Sequence, residues 1–430
     1  MSTFKKIGLL TKSNVVKSVG IYTFTNFFTK ATSFFLLFLY TNPKYISPEE
    51  NGLLSLFSTG IVFLMPFLSM GIIHSAGADY FKLNKKEFSS FFTTTLVLPL
   101  AGAIASFIFL FLFSNFFEEN FGWPHFFIWL IPLITLFNFF TEHALSMIRN
   151  NNEPGKFLTV NITRVIIEIS ISVVLVVVFA WRWEGRVTGI AAAFIFSTAY
   201  AVIYFYKKNF IFGRFNKKFI KNELWYAIPL IALQFGIFCM NASDKFFLAH
   251  YIKDDNATVG IYNIAWIFST VLTILSNALL HYIFPSIYST LSEQVINYKK
   301  IKKNFYFFIA AISFSLIMLL VFIPVAYKYF INEKYYAGLN YYYFLCLGVF
   351  IWCVNYFFYS FLLYYKEKKK LFVLSLFSII VSLLVYNFMI KNYGAKGAAI
   401  ANLIIYSLVF LLTLIMTQKF WRKIFFSQQK

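Results

Sequence analysis

A chain of 430 residues that is 60% hydrophobic and 13% charged, with a mean hydropathy of +0.69, is not an ordinary soluble protein; soluble domains average about 45–50% apolar and about 25% charged residues. The surplus runs over the whole length, which leaves no separate water-soluble domain, and its long unalternating runs exclude a β-barrel. The three cysteines, Cys239, Cys346 and Cys353, lie within apolar segments and read as small core residues rather than a disulfide framework.

A helix needs roughly 20 apolar residues to cross a bilayer core of about 30 Å. In chain order the apolar runs predict twelve spans, at 18–40, 53–76, 91–116, 126–148, 158–180, 187–206, 224–250, 260–288, 305–328, 338–364, 371–391 and 396–418. Lys5, Lys6, Lys12 and Lys17 precede a first run too long for a signal h-region, so no cleaved leader is expected. The fold class is therefore an all-α integral membrane protein.

Ionisable groups inside spans are costly and usually face the bundle interior or a cavity. In span one Tyr22, Asn26, Thr29, Lys30 and Ser33 share an arc of about 100°, and Lys30 lies about 18 Å from the cytoplasmic end, near the midplane. Span four carries Thr135, Asn138, Glu142, Ser146 and Arg149 on one face, with His143 at its edge. Span five carries Asn161, Arg164, Glu168 and Ser172. The two helices run in opposite directions, which sets Glu142, Arg164 and Glu168 at similar depths. Arg164 and Glu168 are an i,i+4 pair in the less favourable order, so a cross-helix pair of Arg164 with Glu142 is expected; whether this cluster is structural or couples an ion stays open. In span seven Gln234, Asn241 and Lys245 share a face with Asp244 beside it, and span eight adds Asn263, Thr270, Asn277 and His281. His74, His125 and His250 fall near span ends, where interfacial hydrogen bonds are the ordinary role. Tyr341, Trp352, Tyr356 and Tyr359 share a face of span ten, a surface on which a sugar could stack, although most aromatic residues here belong to interfacial belts.

The net charge of +21 is explained by its distribution. With the N-terminus in the cytoplasm, the cytoplasmic segments hold 27 Lys and Arg against 6 Asp and Glu, and the external loops, taken with Lys328, Lys391 and Lys396 at the external span ends, hold 8 of each. That is the positive-inside pattern. It places both termini in the cytoplasm and reads the basic loops as topology and contact with membrane lipids, not nucleic-acid binding.

The chain is also duplicated. Gly52-Leu53-Leu54-Ser55-Leu56 opens span two and Gly260-Ile261-Tyr262-Asn263-Ile264 opens span eight, 208 residues later. Gly189-Ile190-Ala191-Ala192-Ala193 and Gly397-Ala398-Ala399-Ile400-Ala401 repeat that offset. Six spans per half gives two parallel repeats, an N-terminal lobe at 1–206 and a C-terminal lobe at 224–430 joined by a cytoplasmic linker at 207–223; transporters commonly place their substrate between such repeats. Phosphate loops, metal-spaced His or Cys sets and nucleophile elbows are absent from the sequence, so an enzyme is not expected.

The segment Ser47-Pro48-Glu49-Glu50-Asn51-Gly52-Leu53-Leu54-Ser55-Leu56 with Leu68-Ser69-Met70-Gly71-Ile72 resembles the first loop and second helix of polysaccharide-unit exporters, the O-antigen flippases of the multidrug/oligosaccharidyl-lipid/polysaccharide superfamily. Asp244-Lys245-Phe246-Phe247-Leu248, Val259-Gly260-Ile261-Tyr262-Asn263 and Pro285 are similar to the span seven to eight segment of the same family; Asn51 departs from its more usual aromatic residue. The resemblance implies a MATE-like fold of two V-shaped lobes in the bacterial inner membrane. It implies alternating-access transfer of an undecaprenyl-pyrophosphate-linked oligosaccharide of O-antigen or capsule type, with polysaccharide polymerases as partners. No cofactor is implied beyond a coupling H⁺ or Na⁺. On that reading Lys30, Asn26, Gln234, Asn241, Lys245 and Asn277 bind substrate, and Glu142, Arg164, Glu168 and Asp244 couple ions or form structural pairs. Two alternatives remain: a multidrug/cation antiporter of the same superfamily, which would want carboxylates where span one offers Lys30, and a membrane-embedded polymerase or glycosyltransferase, which would want a larger external loop.

Overall fold

The computed structural model describes residues 20–21, 24–25, 28–29, 36–252, 256–293 and 296–426. Among them there are helices and turns and no strand. We number the helices α1 (Pro48–Ser69), α2 (Ile72–Asp79), α3 (Lys85–Leu112), α4 (Phe127–Asn150), α5 (Pro154–Val178), α6 (Arg182–Lys207), α7 (Lys217–Asn241), α8 (Asp244–Tyr251), α9 (Asn256–Leu291), α10 (Tyr298–Phe330), α11 (Gly338–Tyr364), α12 (Lys368–Met416) and α13 (Gln418–Phe426).

Ten of these are long and apolar enough to cross a membrane. One of the ten, α12, is two helices merged across Gly394, where φ is +56° and ψ −140°. Every expected span from the second to the twelfth thus has its helix, whereas span one, with its candidates Lys30 and Asn26, lies largely outside the described residues. Spans two and seven are each split, between α1 and α2 and between α7 and α8.

Local chemistry sets the ends. Ser47 and Glu50 form a capping box at the start of α1, the Ser47 N–H donating to Glu50 Oε2 at 2.7 Å and the Glu50 N–H to Ser47 Oγ at 3.3 Å. Asn84 and Glu87 repeat the device at α3. Pro154 opens α5, where its missing N–H costs nothing. The first split falls at Met70 and Gly71, with φ of 45° and 72°, a conformation that glycine adopts without penalty.

Composition also sorts the helices by depth in the bundle. The best apolar window of α10 has hydropathy 2.7 and only 22% of it is buried by protein, the pattern of a helix at the rim of the bundle. In α11 the window falls to 1.8 and 72% is buried, because a helix surrounded by other helices can carry tyrosine, asparagine and tryptophan.

The contacts divide the chain into two compact units, one of 1–39, 60–117 and 124–231, the other of 40–59, 118–123 and 232–430. The linker expected at 207–223 belongs wholly to the first unit. It is docked along α3, the Gly213 and Asn216 N–H groups donating to Thr93 and Thr94 Oγ1, each at 3.0 Å. In the second unit α1 crosses α9 at the two glycines that the repeat relates. A Cβ on Gly52 would lie 2.0 Å from the Asn256 carbonyl oxygen, and one on Gly260 would lie 2.1 Å from that of Pro48. Only glycine permits two backbones to approach so closely.

Candidate functional site

In the second unit α7 ends at Asn241 and α8 begins at Asp244, well inside the expected span seven. The Ala242 and Ser243 N–H groups both reach the Phe238 carbonyl, at 2.9 and 3.3 Å, and Ser243 Oγ donates to the Cys239 carbonyl at 2.6 Å. Irregular backbone at membrane depth persists only where other groups satisfy it. Here α12 supplies them. Tyr386 O–H donates to the Met240 carbonyl at 2.9 Å, Asn402 Nδ2 donates to Tyr386 Oη at 3.2 Å, and Tyr406 O–H donates to Asn241 Oδ1 at 2.7 Å.

Asp244 and Lys245 occupy the first turn of α8 and are both buried. Asp244 sits where a helix N-terminus favours negative charge. It accepts the Lys245 N–H on Oδ1 at 2.9 Å and the Tyr262 O–H on Oδ2 at 2.6 Å. The neighbouring ammonium points elsewhere, 5.9 Å from the centre of the Trp266 ring. Among the described residues neither charge has an ion-pair partner, and Asn402 Oδ1 is buried without a hydrogen bond.

In the first unit the expected pair of Arg164 with Glu142 is not formed. Glu168 instead takes Arg186 from the head of α6, Nη2 to Oε1 at 2.5 Å, and Arg186 Nη1 donates to Ser172 Oγ at 3.0 Å. The α5–α6 approach explains the choice: a Cβ on Gly189 would meet Ser172 Oγ at 2.1 Å, so the helices are close enough for Arg186 to fold back across the turn. Arg164 lies over the Phe194 ring at 5.5 Å with its Nε buried and unbonded. Glu142 is half-buried and forms no ion pair among the described residues. His143 is fully buried between Phe92 and Phe139, with ring centroids 4.7 and 5.4 Å away, an aromatic role rather than a relay.

Of the remaining candidates, Gln234 and Asn277 are half-buried, and Asn241 donates to its own helix at the Ile237 carbonyl, 2.7 Å away. Trp352 stacks on Tyr406 at 5.3 Å, while Tyr341 lies apart, 6.2 Å from Tyr262. Trp352, Tyr356 and Tyr359 line a cavity of about 50 Å³ with Ser375 and Ser378. Among the described residues no group of three His, Cys, Asp or Glu could hold a metal ion.

The turn between α4 and α5 adds a clasp outside the spans. Glu153 accepts from Lys208 at 2.8 Å, Lys156 at 3.0 Å and Tyr204 at 2.9 Å. Partial burial works to raise its carboxyl, but the three hydrogen bonds outweigh it and hold the group below the ordinary glutamate value.

Sequence reasoning missed Arg186, Tyr262, Tyr386, Asn402 and Tyr406. Arg186 was readable as the far side of a short turn that brings α6 back along α5. Tyr262 stood in the segment that carries the family resemblance without a role of its own, and nothing marked Tyr386 or Tyr406 among the 28 tyrosines.

Ten membrane-length helices among the described residues, with charges buried within the bundle and one pair of them at a helix break, define a multi-pass membrane protein. Solved structures agree on the fold. An inward-facing multidrug resistance MATE family transporter of the MOP superfamily aligns with TM-score 0.69 at 13% identity, over 92% of this chain and 95% of that one. The lipid II flippase MurJ, in an inward closed conformation, aligns with TM-score 0.71 at 16% identity, over 92% and 87%. An outward-facing multidrug resistance MATE family transporter gives TM-score 0.55 at 12% identity, over 95% and 96%. No curated protein matches by sequence. Residues 44–332 match the profile of a family described as polysaccharide biosynthesis protein, and the chain belongs to that family.

Proposed function

We propose that the protein is a flippase that moves an undecaprenyl-pyrophosphate-linked oligosaccharide repeat unit, of O-antigen or capsule type, across the bacterial inner membrane by alternating access. Both termini then lie in the cytoplasm. The observation that carries this reading is membership of a polysaccharide-biosynthesis family over residues 44–332, on a fold shared with transporters and a lipid flippase. The buried Lys245, which forms no ion pair among the described residues although the Asp244 charge lies near it, supports an anionic cargo, because an ammonium kept from water gains most from a phosphate or acidic sugar. Asn241, Gln234 and Asn277 add hydrogen-bonding groups to the same unit, and Lys30 and Asn26 are assigned to the first repeat's share of the path. For coupling to H⁺ or Na⁺ we favour Asp244 over Glu168, since Glu168 is already held by Arg186.

A multidrug/cation antiporter is the second reading, favoured by the MATE likeness and by the carboxylate of Glu142, which forms no ion pair among the described residues. Complementation separates the two. Expression in strains lacking their own flippase, each making one defined repeat unit, restores surface polysaccharide in at least one if the proposal holds. Drug or cation efflux without any restoration would decide for the antiporter.

A further inference from the structure

The residues of α13 sort onto two faces. At 100° per residue Phe420, Trp421, Ile424 and Phe425 fall within an arc of about 140°, and Lys419, Arg422, Lys423 and Phe426 within the opposite arc of about 100°. The first face is docked on the second unit. Phe420 lies flat on Tyr365, just beyond the end of α11, with ring centroids 4.3 Å apart, and Phe425 meets Phe305 in the second turn of α10 at 5.0 Å. Ile424 is buried. Trp421 Nε1 donates to the Leu414 carbonyl at 2.8 Å, one of the last-turn groups that α12 leaves without a helical partner. The helix is thereby folded back across the ends of α10 and α11.

The second face is exposed, and it mixes charge with a bare ring. Phe426, 74% exposed, falls between Arg422 and Lys419 on that arc. More cations border it. Residues 298–303, which open α10, carry four lysines, and Lys302 reaches over Tyr306, itself 6.3 Å from Phe425. Residues 366–370, next to Tyr365, add four lysines against one carboxylate, Glu367, which Lys370 holds at 3.1 Å. In water the ring gains nothing and the like charges repel one another. Where a bilayer meets water both are satisfied: the ring enters the acyl boundary while the long basic side chains reach the headgroups. We propose that the exposed face of α13 is a docking surface for anionic phospholipids of the adjacent leaflet, its cations meeting their phosphates and Phe426 entering among their chains. The surplus of positive charge selects anionic over zwitterionic headgroups. This contact does not depend on the identity of the cargo.

The full chain carrying Phe426→Cys is labelled there with bimane, its own three cysteines being buried, and placed in phosphatidylcholine nanodiscs. Equal fractions of chain-brominated phosphatidylglycerol or chain-brominated phosphatidylcholine are added as quenchers, and iodide is added from the water. Brominated phosphatidylglycerol quenches about twofold or more better than brominated phosphatidylcholine, and iodide quenches weakly. The combined change Lys419→Gln, Arg422→Gln and Lys423→Gln removes that excess. The same change at Lys217, Lys218 and Lys221, exposed lysines at the head of α7 in the first unit, leaves it in place. Salt at about 1 M, where charges are screened within about 3 Å, removes the excess without any variant, so the test survives a variant that does not fold. Equal quenching by the two lipids overturns the proposal. So does an excess that persists in 1 M salt or in the α13 variant. Strong iodide quenching with little from either lipid also overturns it, and gives this face to a partner in water.

Discussion

The two units handle buried charge in opposite ways. In the first, α5 and α6 are joined by a short turn, and Glu168 and Arg186 close on each other with Ser172 as a third partner. In the second, α7 breaks, and Asp244 is satisfied by a phenol and a backbone N–H while Lys245 is left over an indole ring. A closed ion pair holds two helices together and has nothing left to offer a ligand. A carboxylate hydrogen-bonded only by neutral donors, and an ammonium that forms no ion pair among the described residues, can still exchange partners during a transport cycle. Pairing, rather than the mere presence of a charge in a span, separates structural charges from candidates for function.

The largest effect expected from this contrast is on the closed pair. Removing one partner of a buried ion pair costs about 3–5 kcal/mol in soluble proteins because the other charge is orphaned. Glu168→Gln and Arg186→Gln should each sharply lower the amount of folded protein in the membrane, and the double change should recover part of it. Quantitative immunoblotting with size-exclusion profiles checks this; a Glu168→Gln protein that accumulates normally would erase the distinction between the units.

A smaller effect is expected at Asp244. Asparagine at 244 keeps Oδ1 as acceptor for the Lys245 N–H and turns Nδ2 as a donor toward the Tyr262 oxygen, so Asp244→Asn loses the charge and reverses one bond, about 1–2 kcal/mol. Protein level should hold while transport loses its dependence on the ion gradient. Gradient-dependent export by Asp244→Asn would remove the coupling assignment and leave this carboxylate as a second structural one.

The clasp at Glu153 should matter least. Its carboxyl is held below the ordinary glutamate value, so its stabilisation is fully present above that ordinary value and is lost as pH falls through the depressed one. Glu153→Gln should lower the melting temperature slightly at pH 7 and make no difference once the medium is acid enough to protonate the native glutamate. Equal melting at pH 7 would show that Lys208 and Lys156 contribute nothing measurable through it, as many surface pairs do.

What was legible in the sequence follows from the range of each signal. Span positions are local, so apolar runs marked them, and Gly52 and Gly260, which the expected repeat sets in correspondence, meet at one helix crossing. The break in α7 carried no such mark, since Asn241-Ala242-Ser243 contains neither glycine nor proline and is sustained by tyrosines more than 140 residues away. Glu142, Arg164 and Glu168 were found as a cluster, but the partner was assigned within spans four and five. Arg186 had been counted with the external loop, and only the close packing at Gly189 shows that it turns back. The expected linker at 207–223 looked like a free polar connection because the threonines of α3 that hold it lie about 120 residues earlier.

The central claim is that Lys245, the buried cation of the second unit, serves an anionic lipid-linked cargo. Proteoliposomes containing the purified chain and a fluorescent undecaprenyl-diphosphate oligosaccharide, with accessibility of the label to an impermeant quencher followed over time, test it directly. The account predicts transfer between leaflets that depends on the protein, is abolished in Lys245→Ala at unchanged protein level, and is partly kept in Lys245→Arg. Transfer at the unaltered rate in Lys245→Ala would contradict it.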